Sequence, residues 1–224
     1  FMGISPLVIG LTIVSIGTSA PEMFVSTVAA LEGSGGLAVG NAIGSNIANI
    51  ALVLGVTALV AAIPIQKKLM KKEIPLLLLV TIIAGLVLMD LKLDLFDAVI
   101  LIIALVAAIY LLFQQTSDAG EAIIDEDEQA EIDAMPAKNA VFWLVVGLAA
   151  LMISSKMLVW GATSIAQAFG ISDLIIGLTI VAIGTSLPEL AASVTSALKG
   201  HHDIAIGNII GSNIFNLLAV LPIP

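Results

Sequence analysis

Two glutamates, Glu22 and Glu189, lie inside apolar stretches, each directly after a proline: Gly17-Thr18-Ser19-Ala20-Pro21-Glu22 and Gly184-Thr185-Ser186-Leu187-Pro188-Glu189. A carboxylate within lipid is costly and marks a partner or an ion path. Proline has no N–H and clashes with the carbonyl four residues back, so Pro21 and Pro188 free the carbonyls of Gly17 and Gly184 to face a cation. Thr18 and Glu22 are four apart and share a helix face, which Ser15 and Ser26 extend; Ala182, Thr185, Glu189 and Ser193 repeat the pattern. In the segments that follow, Asn41, Ser45 and Asn49 are spaced by four, as are Asn208, Ser212 and Asn216. The donors are carboxylates, hydroxyls, amide oxygens and carbonyls, with no cysteine or histidine among them. An all-oxygen set suits hard cations, and calcium in particular takes several oxygens in flexible geometry. Two glutamates neutralise one divalent ion. Emptied, they leave two charges in low dielectric, which favours refilling by monovalent cations or protons. Exchange is the natural outcome.

These segments are one sequence written twice. Residues Ile4–Asn49 align without a gap on Ile171–Asn216, with 28 of 46 positions identical. The chain around them is 59% hydrophobic and 11% charged, with a mean hydropathy of +1.15, whereas soluble domains are about half apolar and about a quarter charged. The long apolar runs recur along the whole chain, so no secretory leader accounts for them. About 20 apolar residues cross a bilayer, and seven stretches qualify: Ile4–Leu31, Leu37–Ile63, Ile74–Met89, Leu95–Phe113, Ala140–Phe169, Ser172–Leu198 and Ile204–Leu221. Continuous runs of this length are helices rather than alternating barrel strands. The fold expected is therefore all-α and polytopic.

Lys67, Lys68, Lys71 and Lys72 cluster between the second and third spans. Placing them inside also puts Lys138 and Lys199 inside and leaves only Lys92 outside, as the positive-inside rule favours. Loops 64–73 and 114–139 are then cytoplasmic, in a cell (inner or plasma) membrane, with Tyr110 and Trp143 near the inner interface. The two copies start in spans one and six, so they cross in opposite directions. Inverted repeats of this kind build secondary transporters with a site at the repeat interface. Relative to a symmetric ten-span protein, one span is missing before the first copy and two after the second, which reads as a fragment. The organisation expected is a first half over 1–113, an acidic loop over 114–139 and a second half over 140–224.

The G-T-S-x-P-E motif and the G-N-x-I-G-S-N-I-x-N motif, each present twice, resemble the alpha-repeats of the sodium/calcium exchanger family, in the calcium:cation antiporter superfamily. The prokaryotic exchangers with a short central loop look most similar. The resemblance implies ten helices in two inverted halves, a core of four repeat helices, and a first helix of each half that moves against it. It implies calcium and sodium as transported ions, with no cofactor. Glu22 and Glu189 would be the principal calcium ligands, and Thr18, Thr185, Ser15 and Ala182 would add backbone carbonyls. Ser19, Ser45, Ser186 and Ser212 would serve sodium, with Asn49 near the centre. Asn216 stands where some members have aspartate, which lowers the negative charge of the site and bears on the ion ratio and on whether potassium or a proton takes part.

Other features read more plainly. Asp118–Asp133 holds eight acidic residues and no basic one, without the glycine and spacing of an EF-hand, and reads as a solvated loop. Much of the net charge of −9 resides there, so it signals no nucleic-acid partner. The absence of cysteine excludes disulfides and thiolate metal sites. His201, His202 and Asp203 sit at a membrane edge as surface residues, Lys156 within a span snorkels or pairs with an acid, and Trp160 is an interfacial anchor. No nucleophile–base pair or zinc motif supports an enzyme. A passive cation channel is the competing class, and coupling to protons or potassium the nearer alternative.

Overall fold

Hydrocarbon offers the backbone no hydrogen-bond partner, so a lipid-embedded chain satisfies itself as helix. The structure, a computed structural model, describes residues 6–64, 69, 71–117 and 137–224. These form α1 (Leu7–Thr18), α2 (Ala20–Leu31), α3 (Gly35–Val60), α4 (Glu73–Asp90), α5 (Leu95–Ser117), α6 (Ala137–Ala168), α7 (Asp173–Leu198) and α8 (His202–Val220). There is no strand among the described residues. Five helices are long and apolar enough to cross a bilayer, six when α1 and α2 count as one span bent by 40°. The remaining expected span, Ala140–Phe169, is helical as α6. Lys67, Lys68 and the acidic run Asp118–Asp133 lie outside the described residues. Gly33 and Gly200, equivalent in the two copies, end α2 and α7 with φ of 77° and 87°, a left-handed conformation that glycine adopts without steric cost.

The repeat helices are not uniformly α-helical. Gly10–Val14 and Gly177–Val181, the same five residues in each copy, are wide π turns. A second equivalent pair starts at Asn49 and Asn216. Inside the first pair, the Thr12 and Thr179 hydroxyls each donate to the carbonyl four residues back, Val8 and Ile175, at 2.6 Å. Such back-bonding bends helices, and π turns concentrate at functional sites.

Packing across the copies is reciprocal. A Cβ on Gly10 would lie 2.6 Å from the Ile204 carbonyl oxygen, and one on Gly177 would lie 2.5 Å from that of Leu37. A Cβ on Gly207 would meet the Leu7 oxygen at 2.6 Å, and one on Gly40 the Leu174 oxygen at 2.6 Å. Thus α1 lies backbone-to-backbone on α8, and the first half of α7 on α3. Each copy's leading half-helix packs on the other copy's following helix, while α2 stays on α3 and the second half of α7 on α8. Small residues permit this approach where lipid supplies no hydrophobic drive between helices. The relation is that of an inverted two-fold repeat.

Helices α4 and α5 cover one flank. Leu76, Val80 and Ala84 of α4 and Leu101, Ala108 and Leu112 of α5 join Ile210, Ile214 and Leu218 of α8 in the main apolar core. Leu78, Ile82 and Leu86 of α4, with Ile103 and Val106 of α5, face outward, as lipid requires. Gly207→Ala and Gly40→Ala are expected to lower the midpoint of thermal unfolding in detergent, each costing about 1–3 kcal/mol by overpacking. Gly85→Ala, where an added Cβ meets nothing within 4 Å, is the matched control and leaves the melt unchanged or slightly raised. Equal melts for all three would contradict the close cross-copy packing.

Candidate cation site at the repeat interface

Pro21 and Pro188 each fall in the first turn of a resumed helix, just after a break at Ser19 or Ser186. Before each break the ladder closes with Ser19 N–H on Ser15 O at 2.9 Å and Ser186 N–H on Ala182 O at 3.1 Å. It restarts with Met23 N–H on Ser19 O at 3.2 Å and Leu190 N–H on Ser186 O at 3.0 Å. Between lies the gap at each proline, which has no N–H to give. At each gap the negative carbonyl end of one half-helix adjoins the positive start of the next. Glu22 and Glu189 stand in the first turn of those restarted helices.

Both glutamates are fully buried, and each reaches across to the other copy's break. Ser19 Oγ donates to Glu189 Oε1 at 2.9 Å, and Ser186 Oγ donates to Glu22 Oε1 at 3.5 Å. The carboxylates therefore meet at the two-fold interface rather than facing lipid. The second oxygen of each, Oε2, is buried with no hydrogen-bond partner.

A second reciprocal network holds the threonines. Thr18 Oγ1 donates to Asn208 Oδ1 at 3.0 Å, and Thr185 Oγ1 to Asn41 Oδ1 at 3.1 Å. Asn41 Nδ2 donates to Ser26 Oγ at 2.9 Å and to the Glu22 carbonyl at 3.2 Å, and Asn208 Nδ2 does the same with Ser193 Oγ at 2.9 Å and the Glu189 carbonyl at 3.3 Å. Asn41 and Asn208 are thus interhelical glue. Their oxygens are engaged by threonine, and the free oxygens of the stripe are those further along it. Ser45 Oγ lies 3.3 Å from Thr185 Oγ1, and Ser212 Oγ lies 3.5 Å from Thr18 Oγ1. Asn49 and Asn216 are fully buried, and neither amide has a partner on its nitrogen or oxygen.

Among the candidate residues, Glu22, Glu189, Thr18, Thr185, Ser19, Ser186, Ser45 and Ser212 are linked by these contacts. Ser15 and Ala182 sit at the backbone contacts, where a Cβ on Gly211 would meet Ser15 Oγ at 2.6 Å and one on Gly44 would meet Ala182 Cβ at 2.7 Å. Ser15 Oγ donates to Leu11 O and Thr12 O of its own helix, and its carbonyl accepts from Ser19 N–H and Thr18 Oγ1. Among the described residues no three His, Cys, Asp or Glu side chains converge. What converges is a pair of carboxylates with neutral oxygens, and four glycines let the helices carrying them approach.

Two amides escaped the spacing argument. Asn46 and Asn213 are equivalent in the copies but one residue off the stripe. They face an apolar cavity between α3, α4 and α8, with the Asn46 amide and Asn213 Oδ1 unpartnered. Only their identity in both copies singles them out.

Membrane-spanning inverted repeats enclosing paired buried carboxylates define a polytopic membrane transporter. Residues 1–114 and 139–224 match the family described as sodium/calcium exchanger protein. The chain is 50% identical over 222 residues to a "Putative antiporter CaxA" of Alkalimonas amylolytica, covering 98% of this chain and 70% of that protein. It is 31% identical to the "Sodium/calcium exchanger MaX1" of Methanosarcina acetivorans, covering 98% and 73%. The solved structure of the sodium-calcium exchanger NCX_Mj superposes with a TM-score of 0.74 at 35% identity, over 99% of this chain and 70% of that one. The chain belongs to the sodium/calcium exchanger family. It is a cation antiporter of the exchanger type, a membrane transporter and not an enzyme.

The asparagine clamps carry a prediction. Asn208→Leu leaves the Thr18 hydroxyl and the Glu189 carbonyl without their partner, and is expected to cost about 1–3 kcal/mol in unfolding free energy. Asn46→Leu removes an amide that bonds to nothing and is expected to be neutral or stabilising. Paired thermal melts check this, and the reverse order would contradict the network.

Proposed function

We propose that the chain exchanges calcium for sodium at one central site in which Glu22 and Glu189 are the principal ligands. The carrying observation is reciprocity: each carboxylate is bonded by the other copy's serine and keeps one oxygen unpartnered. Oxygens held in this way suit a divalent ion that draws on both halves equally. The gap carbonyls, with those of Thr18 and Thr185, add neutral ligands, as do the carbonyls of Ser15 and Ala182. Ser19, Ser186, Ser45 and Ser212 supply hydroxyls fit for sodium, with Asn49 and Asn216 between them.

Alternating access follows from charge. Two buried acids make an unloaded site unfavourable, so the protein switches sides only when calcium or its replacement neutralises them. The uphill ion then depends on a gradient of the other. Asn216 contributes no charge, and this favours a second reading in which potassium or a proton completes the counter-ion set. The domain limits expected from sequence, 1–113 and 140–224 around an acidic loop 114–139, and the cytoplasmic placement of loops 64–73 and 114–139, belong to this proposal.

The test is isotope-calcium uptake into proteoliposomes under separate sodium, potassium and proton gradients. An opposing sodium gradient is expected to drive uptake, and Glu22→Gln or Glu189→Gln to reduce it to background. Uptake indifferent to every gradient would indicate a channel. Full activity in both variants would remove the assigned site.

A further inference from the structure

Away from the carboxylates, α3, α4 and α8 enclose a cavity of about 460 Å³ lined only by aliphatic side chains, among them Leu54, Ala58, Leu69, Ile74, Ile206 and Ile210. All three helices end near it: α3 at Val60, α4 begins at Glu73 and α8 at His202. The cavity therefore opens at one membrane edge. Lys71 and Lys72 lie between Leu69 and Ile74 in sequence and are exposed. His202 stands one helical turn before Ile206, and its Nδ1 is buried with no partner. Lys199, His201, Asp203 and the buried Glu73 are further ionisable groups at the ends of α7, α8 and α4.

The lining excludes an ion or a polar metabolite, since no side chain in it can hydrogen-bond. A helix with its side chains is about 10–12 Å across, so the cavity holds about one turn of one. A single alkyl chain fits, and the exposed Lys71 and Lys72 and the half-buried His202 adjoin lining residues in sequence. We propose that this cavity seats one acyl chain of an anionic phospholipid whose phosphate is held at Lys71, Lys72 and His202. Basic groups between helices at the membrane edge recognise anionic headgroups in this way, and the lysine-based orientation puts the mouth in the cytoplasmic leaflet, where anionic lipids reside. The bound lipid would brace α4 against α3 and α8, the two helices that carry Asn49 and Asn216.

Native mass spectrometry of the purified full chain, offered equal phosphatidylglycerol and phosphatidylcholine with identical acyl chains, tests this. One phosphatidylglycerol is expected to be retained over phosphatidylcholine by about tenfold or more, the scale set by two lysines near an anionic group. Lys71→Gln with Lys72→Gln, both exposed, is expected to abolish the preference while leaving weak retention of either lipid. Ala58→Phe fills the cavity and is expected to lose both. Equal retention of the two lipids by the parent chain, or an undiminished preference in the lysine variant, would overturn the proposal. So would displacement of the lipid by glycerol phosphate, which would assign a headgroup site without the cavity.

Discussion

Two carboxylates are buried at one interface, and among the described residues no cationic side chain is bonded to either. All eight basic residues are lysines, and the one inside a span, Lys156, holds its ammonium 5.1 Å from the centre of the Phe24 ring, engaged with an aromatic face rather than with either glutamate. What the protein offers Glu22 and Glu189 instead is a serine hydroxyl from the opposite copy. A hydroxyl dipole does not neutralise a carboxylate. On the proposed function, the ion that does comes from solution.

Three local devices bring the acids together. The proline breaks put each glutamate at the start of a half-helix, where backbone dipoles favour negative charge. The asparagine clamps bind the glutamate carbonyls and the threonine hydroxyls into one network, so the broken helices cannot drift apart freely. The glycine contacts draw α1 onto α8 and α7 onto α3, which is what lets Ser19 and Ser186 reach across. Because every device occurs in both copies, the site is shared by two equivalent halves. On the proposed function, such a site is opened to either side by equivalent movements.

Much of this was legible in the residues. The breaks follow from Pro21 and Pro188, and the membrane helices from hydropathy. The meeting of the carboxylates follows from an odd number of crossings between identical motifs. The uses of Asn41 and Asn208 were less legible. Their spacing with Ser45 and Ser212 reads as a stripe of ion ligands, yet one member of each stripe, Asn41 or Asn208, differs in role because its oxygen accepts from Thr185 or Thr18 and its nitrogen donates to Ser26 or Ser193. Periodicity assigns a face, not the partner on the far helix. The π turns left only an indirect trace, in the identity of Gly10–Val14 with Gly177–Val181, because a threonine that back-bonds looks the same in sequence as one that does not. Asn46 and Asn213 were invisible to a spacing argument built on the other side of their helices.

The most direct measurement is an anomalous-scattering map of crystals soaked in a heavy divalent calcium substitute. The account predicts one peak on the two-fold interface, about 2.3–2.6 Å from an oxygen of Glu22 and from an oxygen of Glu189. A peak bound by only one of the two, or one confined to surface carboxylates while the interface stays empty at saturating ion, would contradict it.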